Sequence, residues 1–354
     1  MNYAARLDAL TARLERPMLV TDLVNIRYLS GFGGSSAALL VDPERGSVFM
    51  TDGRYGELAA GLVDALPGTR LDISTGGLMD QLVGALNGLD EFSVEAADVS
   101  WQFVRTLEER ADGTPVPTAG IVEVQRRTKD EDEVAALSMA AAAGDAAFSA
   151  LPGLAAGAAS EADLGWALVG EMRRHGGDPA SWEPIVAAGP GASIPHYRSG
   201  AESVGSGLLL LDYGCTVGGY HSDMSRTVWL EGDPDDRMSE VYDAVLESQH
   251  AGIDAIGAGV PCGEVDEACR AILRGAGLEE HFLHSTGHGV GLEIHEAPWL
   301  RKGNDDPLAV GDVVTVEPGV YLPGVGGVRI EDMVLVAADG PVVLTKSSRE
   351  FRLT

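Results

Sequence analysis

The chain has 354 residues, more than one ordinary hydrophobic core organises, and its length therefore predicts two domains. Its apolar content of 45% is that of a globular protein, and no window approaches the roughly 18 uninterrupted apolar residues of a membrane span. The net charge of -29, from 54 acidic and 25 basic residues, argues against nucleic acid and anionic membranes as partners, because phosphate binding needs a basic face.

Strands and helices alternate in the N-terminal part of the chain. The opening segment MNYAARLDALTARLERP has leucines at helical spacing and lacks an apolar signal core, which predicts a surface helix in a cytoplasmic protein. The segment from Val20 to about Leu71 predicts short strands and turns, and the pattern continues with helix-like GELAAGLVDAL and GLMDQLVGALNGL. This alternation predicts a small α/β domain over residues 1–122, since periodicity is lost near the Pro/Gly-rich ADGTPVPTAG.

The second domain, residues 123–354, opens on a charged stretch that predicts a long helix over TKDEDEVAALSMAAAAGDAAFSAL. Thr128 is the expected N-cap, with Glu131 completing a capping box. Further helices are predicted over EADLGWALVGEMRRHG, RMSEVYDAVLESQHAGIDAI and EVDEACRAILRGAG, with strand-like segments between and after them. Three cysteines, Cys215, Cys262 and Cys269, have neither a disulfide framework nor a zinc spacing, and the last two are expected in the core.

Four acidic residues lie in β-like runs of this domain. Aspartate is unusual inside a strand, and a buried ionised carboxylate is costly unless it is paired or metal-bound. Taken singly, each acid fits a hydrogen-bonded strand end or an outward-facing edge position. Two pairs, each flanking a glycine-containing turn, favour a common site instead. The four are Asp212 in LLLLDYG, Asp223 in HSDMSRT, Glu317 in VTVEPGVY and Glu331 in GVRIEDMV.

Histidines accompany the acids. His288 lies in TGHGVGLEIHE between glycines, and His284 and His295 fall within the same short stretch, which indicates a functional cluster. His196, in SIPHYR after the loop GPGAS, fits either a site rim or the surface. Four carboxylates and one imidazole suit two divalent cations such as Mn, Co or Zn, held roughly 3.5–4 Å apart, which predicts a metallohydrolase.

The order Asp, Asp, His, Glu, Glu in these local sequences resembles the pita-bread metallopeptidases, which include methionine aminopeptidase, aminopeptidase P, prolidase and creatinase. The likeness runs from about Arg126 to the end. The N-terminal half, through TDLVNIRYLSGFGGSSAALLV and TDGRY, is similar to the smaller domain of aminopeptidase P and prolidase. The resemblance implies an α+β fold, with a pita-bread catalytic domain preceded by a smaller creatinase-like α/β domain.

The resemblance also implies a dinuclear centre, with manganese expected first and cobalt or zinc as alternatives. Asp212 would ligate one ion with both oxygens. Asp223 and Glu331 would bridge the two ions, and His288 and Glu317 would ligate the other. A homodimer is implied as well.

Other residues are implied to act on the substrate. Glu317 would help to shuttle protons, and His295 would stabilise the oxyanion. His196 and His284 would position the substrate and assist protonation of the proline nitrogen. Arg329 matches an arginine near the metals and the substrate.

The activity implied first is that of an Xaa-Pro aminopeptidase, acting on peptides with proline in second position. Prolidase, which cleaves only Xaa-Pro dipeptides, shares all these residues and is the main alternative. A creatinase-like C–N hydrolase and a metal-free binding module are the remaining alternatives, and the five intact ligand positions argue against both.

Overall fold

The computed structural model describes residues 1–74, 76–180 and 182–353, and it divides into two compact units, Met1–Arg126 and Arg127–Thr354. The division predicted from sequence, after residue 122, falls inside a helix that spans Ile121–Arg127. The structural division follows Arg126 instead.

The first unit is built on a mixed sheet with strand order β4-β3-β2-β1-β5-β6 among the described residues. Its core contains the apolar faces of the central strands and of the helices, for example Leu19, Leu82 and Phe92. The strands are β1 Met18–Val20, β2 Ala37–Val41, β3 Ser47–Asp52, β4 Thr69–Ser74, β5 Glu91–Glu95 and β6 Thr114–Thr118. The helices are α1 Tyr3–Thr11, α2 Leu23–Ser30, α3 Gly56–Val63, α4 Leu78–Leu86, α5 Trp101–Arg110 and α6 Ile121–Arg127.

Helix α2 corrects part of the prediction of short strands and turns from Val20 to about Leu71. The Asp22 side chain accepts a hydrogen bond from the Val24 amide at 2.8 Å and so caps the first turn. Gly31 ends the helix in the left-handed conformation, at φ 78°. The β-branched and aromatic residues of this eight-residue segment favoured a strand in isolation. Capping at both ends and burial of one face favour the helix.

The second unit combines long helices with several antiparallel sheets. Its helices are α7 Glu131–Ser149, α8 Leu151–Gly157, α9 Glu161–Arg174, α10 Asp236–Asp254 and α11 Cys262–Gly275. Its strands are β7 Asp178–Pro179, β8 Ile185–Ala188, β9 Leu208–Tyr213, β10 Cys215–Val217, β11 Tyr220–His221, β12 Met224–Trp229, β13 Gly287–Gly289, β14 Glu296–Leu300, β15 Val313–Val316, β16 Gly319–Leu322, β17 Gly326–Arg329, β18 Asp332–Ala337 and β19 Gly340–Val343.

The four leucines of β9 bury both faces of one sheet. Leu208 and Leu210 belong to a core with α10 and α11, whereas Leu209 and Leu211 belong to a second core with α7 and α9. Successive side chains of a strand point to opposite faces, so a strand between two cores must be apolar at every position. This sheet, with order β12-β9-β8, is therefore packed on both faces, which fixes the position of the residues at its ends.

Helix α7 begins two residues later than predicted. Asp130, not Thr128, is the N-cap: its carboxylate accepts from the Glu133 amide at 2.9 Å, and Glu133 accepts from the Asp130 amide at 3.0 Å. Thr128 is instead held in an extended bridge with Asp312. The capping box is thus present but shifted, because the backbone at Thr128 is committed to β pairing.

Among the described residues, no single helix is long and apolar enough to cross a membrane. Helices α7 and α8 pass that test only as a pair, which is bent by 55°.

Candidate metal centre

Two antiparallel strands bring the first two acids to one end of a sheet. Asp212, near the end of β9, is the register partner of Ser225 on β12. Between them the chain runs through the β10–β11 hairpin, which turns at Gly218 and Gly219 with φ values of 59° and 88°. Asp223 immediately precedes β12, so the hairpin returns it to the end of the sheet where Asp212 stands.

The two glutamates are paired in the same way on the neighbouring sheet. Val316, the last residue of β15, is the register partner of Asp332, the first residue of β18. Glu317 directly follows β15, and Glu331 directly precedes β18. Because the two strands are antiparallel, both glutamates lie at the same end of this sheet. His288 lies on β13, which pairs with the other edge of β15.

Three of the predicted ligands form a compact cluster. One ligand atom from each of Asp223, His288 and Glu331 lies within 4.8 Å of the other two, and all three residues are buried. His288 Nε2 is 3.7 Å from an oxygen of Asp223 and 3.4 Å from Oε1 of Glu317. Separations of this size suit side chains that share a cation between them.

The hydrogen bond of His288 leaves the nitrogen that faces the acids available as a ligand. Nδ1 is 3.0 Å from the carbonyl oxygen of Gly289, which can only accept, so Nδ1 carries the proton. The lone pair is then on Nε2. Burial lowers the pKa of His288 to about 4, so the ring is neutral at physiological pH, the state in which it can ligate a metal.

The carboxylates repel one another strongly without a cation. Burial and the nearby charge of Asp212 raise the pKa of Glu331 to about 8. Burial and the charge of Glu331 raise the pKa of both Asp223 and Glu317 well above the usual range. Divalent cations would compensate these groups in the ionised form, so the donor set fits oxygen-rich, two-cation ligation.

Asp212 differs from the other acids because it is engaged by an arginine. Its Oδ2 accepts from Arg329 Nη2 at 2.6 Å, and its side chain is 19% exposed. Neither Asp212 nor Glu317 belongs to the three-residue cluster. Glu317 contacts its His288, whereas Asp212 is held by Arg329.

Two hydroxyl side chains that sequence reasoning missed orient the acids. Ser225 Oγ donates to Glu331 at 2.7 Å and accepts from Arg329 Nε at 2.8 Å. Thr315 Oγ1 accepts from the His288 amide at 3.1 Å and faces Glu317 Oε1 at 3.3 Å. Each hydroxyl lies two residues from a predicted ligand, Asp223 or Glu317, in an extended segment. That i, i+2 spacing was the available signal, because such residues share one face of a strand.

A chain of hydrogen bonds joins Arg329 to His284 through another missed residue, Tyr321. Arg329 Nη1 donates to the Tyr321 hydroxyl at 2.8 Å, and that hydroxyl is 2.8 Å from His284 Nε2. His284 Nδ1 faces the carbonyl of Ser285 at 2.9 Å and therefore carries the proton, so Tyr321 donates to Nε2. Burial, followed by the charge of Arg329, lowers the pKa of His284 to about 3 and keeps the ring neutral.

These residues surround a cavity of about 330 Å³. His295 and His288 meet edge to face with ring centroids 4.4 Å apart, and burial lowers the pKa of His295. The structure thus brings all nine predicted site residues to one cavity. Its lining is Pro195, His196, Asp212, Asp223, His284, Ser285, His288, His295, Trp299, Glu317, Arg329 and Glu331.

Cys215 lies close in sequence to Asp212 but does not line the cavity. Its thiol donates to the carbonyl of Ala140 at 3.4 Å in the core beside α7. Burial raises the pKa of this thiol and disfavours the thiolate. Cys262 and Cys269 are buried on α11, as predicted.

Comparison with known proteins identifies the second unit. Residues 135–338 match the model of metallopeptidase family M24, and residues 6–128 match the creatinase/prolidase N-terminal domain. The chain belongs to metallopeptidase family M24. It is therefore a hydrolase in which a pita-bread catalytic domain follows a creatinase-type domain, and the predicted fold is confirmed.

Where the relatives of this M24 peptidase are named for an activity, the names include Xaa-Pro dipeptidase and Xaa-Pro aminopeptidase. It is 34% identical over 338 residues to the uncharacterized peptidase YqhT of Bacillus subtilis, with 94% of each chain covered. An Xaa-Pro dipeptidase from Bacillus anthracis superposes with a TM-score of 0.93 at 34% identity, covering 99% of this chain and 100% of that one. An X-Pro aminopeptidase from Thermotoga maritima gives 0.87 at 31% identity, covering 98% and 100%. The chain thus falls among the Xaa-Pro dipeptidases and aminopeptidases.

Proposed function

We propose that this M24 peptidase is an Xaa-Pro aminopeptidase, which removes the first residue of a peptide whose second residue is proline. The observation that supports this proposal is that Arg329 is buried, at 3% exposure, and already engaged. It donates hydrogen bonds to Asp212, to Tyr321 and to the carbonyl of Pro195. It is the sole arginine or lysine among the described residues that line the cavity. A dipeptidase must hold the free carboxylate of its substrate, for which a cation is the usual partner.

The five ligand positions fit a pair of divalent cations. Asp223, His288 and Glu331 would hold a cation at their cluster, with Glu317 and Asp212 completing a two-cation set beside them. When bound, such cations supply Lewis-acid activation of water and of the scissile carbonyl. The same carboxylates would attract the α-ammonium group of the substrate, which gives preference for the N-terminal bond.

The remaining groups move protons and fix the substrate. Glu317 would receive the proton released by the attacking water, since burial raises its pKa well above the usual range of a carboxyl group. His295 would donate to the developing oxyanion. His284, kept neutral by burial and held by Tyr321, and His196 would position the proline side, and the proton taken up by Glu317 would pass to the proline nitrogen as the bond breaks. Proline has no amide N–H, so this side of the site needs no acceptor for one.

Xaa-Pro dipeptidase is the second candidate, favoured by the name of the relative from Bacillus anthracis at 34% identity. Ala-Pro and Ala-Pro-Ala distinguish the two activities when both are assayed with the same metal-loaded enzyme. Release of alanine from the tripeptide, at a kcat/KM equal to or above that for the dipeptide, is expected. Cleavage of the dipeptide with no turnover of the tripeptide would refute the aminopeptidase proposal.

Manganese is our first expectation for the native cation, with cobalt and zinc as alternatives, because the donor set has four carboxylates and one imidazole. Reconstitution of metal-free enzyme with each ion, followed by the Ala-Pro-Ala assay, ranks them. We further propose a cytoplasmic homodimer, which sedimentation of the purified protein and fractionation of the source cells test.

A further inference from the structure

Trp299 is a large aromatic side chain that stands in the catalytic cavity without a role in the scheme above. It lies on β14 and is the register partner of His288 on β13. Partners across an antiparallel pair lie side by side on one face of the sheet. Their ring centroids are 6.2 Å apart, and the indole faces the same cavity as the imidazole.

The indole is exposed on its strand, as Ala297 is. Pro298 and Leu300, its neighbours, are buried, while Trp299 is 37% exposed. An aromatic ring of this size buries a large apolar area when something packs on it, so leaving it open to water has a cost. Apart from Pro195, the other residues that line the cavity are charged or polar, so Trp299 offers an apolar wall that a ligand can cover.

The cavity has two sides, and Trp299 is not among the residues that form the proposed proline site. Pro195 accepts from Arg329 through its carbonyl, and Arg329 leads through Tyr321 to His284, so these residues form one side. His288, His295 and Trp299 form the other, as the ring contacts of His288 show. In the proposed function the first side receives proline and the leaving nitrogen.

The first residue of the substrate is fixed at both of its backbone groups. In the proposed function its carbonyl and its ammonium group both lie at the metal ligands, so its Cα stands beside the cluster to which His288 belongs. The indole of Trp299, whose ring centroid is 6.2 Å from that of His288, is then an apolar surface within reach of the first side chain.

We infer that Trp299 is a specificity-determining residue that selects peptides whose first residue is large and apolar, such as leucine or phenylalanine. This inference rests on the proposed Xaa-Pro cleavage and names the substrate class within it. The indole packs against the first side chain, and the binding is realised in both ground and transition states because the side chain does not react.

The test compares kcat/KM for Gly-Pro-Ala, Ala-Pro-Ala, Leu-Pro-Ala and Phe-Pro-Ala, with the corresponding Xaa-Pro dipeptides run in parallel. Metal-loaded wild type is compared with Trp299→Ala and Trp299→Phe. Trp166→Ala is the matched control, since Trp166 is an exposed tryptophan on α9 of the same unit, 62% exposed, and does not line the cavity.

Wild type is expected to prefer leucine or phenylalanine to glycine in first position. Trp299→Ala should reduce the Phe/Gly ratio by about tenfold or more, the size of effect that apolar pocket contacts give, while Trp299→Phe keeps most of it. Trp166→Ala should retain the wild-type ratio. A merely structural role for Trp299 would lower kcat/KM equally for every substrate and leave the ratio unchanged.

Two outcomes overturn the inference. An unchanged Phe/Gly ratio in Trp299→Ala, with Gly-Pro substrates still cleaved, refutes the role of Trp299 and leaves the proposed function intact. Failure of wild type to cleave any Xaa-Pro bond refutes the proposed function and this inference with it.

Discussion

Glu331 shows at the scale of a single residue why this site requires cations. Its carboxylate is buried, receives one hydrogen bond from Ser225 and lies near other acids, among them Asp212 and Asp223. Burial and the charge of Asp212 raise its pKa to about 8, from an ordinary value of 4.5. In the unfolded chain the same group ionises at its ordinary value, so folding without metal must keep it protonated or bury an uncompensated charge.

The pH dependence of the metal-free protein follows from that difference. A carboxyl whose pKa is raised on folding contributes its full stability below pH 4.5 and loses it as the pH rises towards 8. We therefore expect the Tm of EDTA-treated protein to fall between about pH 5 and pH 8. Glu331→Gln should flatten this decline, because glutamine keeps an acceptor for Ser225 and has no charge to bury.

The same substitution should have the opposite effect on the loaded enzyme. Glu331→Gln is expected to abolish most activity and to reduce the increase in Tm that added Mn²⁺ gives, since a neutral amide is a weaker cation ligand. Calorimetric scans with and without metal measure both effects. If Glu331→Gln binds metal as wild type does and remains active, Glu331 is not a ligand.

At the scale of secondary-structure elements, Arg226 connects β12 to the segment that carries Glu331. This residue is 1% exposed, and its guanidinium donates to the carbonyl of Glu331 and to the Asp332 carboxylate at 2.7 Å. It also donates to the carbonyl oxygens of Ser347 and Ser348 in the C-terminal segment. The side chain of Arg226 therefore joins β12 both to the predicted ligand Glu331 and to the C-terminal segment.

Removing Arg226 should destabilise the protein strongly. Arg226→Met removes the more buried of the two arginines that pair with the Asp332 carboxylate and leaves only Arg349, and losing one partner of a buried ion pair typically costs about 3–5 kcal/mol. Arg237→Met is the control, because Arg237 forms an exposed pair with Glu240 and exposed pairs contribute only about 0–1 kcal/mol. Urea unfolding of both variants gives the comparison, and equal midpoints would contradict the structural role of Arg226.

Much of the site could be predicted from sequence because strand-borne acids are conspicuous. Asp212 after four leucines, or Glu331 among β-branched residues, signals a carboxylate where burial needs compensation. Tyr321 gave no such signal, since a tyrosine in a strand is ordinary and its role depends on Arg329 and His284, which only the fold brings to it.

Local structure was harder to predict than the site. The start of α7 was misplaced because Thr128 and Asp130 are both acceptable caps in isolation, and the pairing of Thr128 with Asp312 excludes the first. Helix α2 was missed because its residues favour strands and its Asp22 cap is a single side-chain contact. At both helix starts the sequence allows two local structures. A contact with a residue far along the chain decides in α7, and a single capping hydrogen bond helps to decide in α2.

For the whole molecule, the net charge of -29 is the dominant electrostatic feature. Self-repulsion among like charges disfavours the compact state, and salt screens it, with a Debye length of about 30 Å at 0.01 M and about 3 Å at 1 M. We expect the Tm of the metal-loaded protein at pH 7 to rise by several degrees between 0.01 and 0.5 M NaCl.

A sulfate salt is not a suitable substitute in that experiment, because it also strengthens hydrophobic burial. NaCl should therefore be compared with sucrose at matched osmolality, because a neutral osmolyte strengthens burial without screening charge. A Tm that falls or stays constant in NaCl would show that exposed ion pairs such as Arg274–Glu267, which salt weakens, outweigh the overall repulsion.

The three cysteines are all buried, at 0–1% exposure, and burial raises the pKa of each thiol. The native fold is therefore almost unreactive towards maleimides, since the thiolate is the reacting species. A single cysteine introduced at a surface position, such as that of Trp166, would be labelled selectively without first removing the natural ones. The wild-type chain is thus already a background for site-specific fluorescence or spin-label measurements of peptide binding.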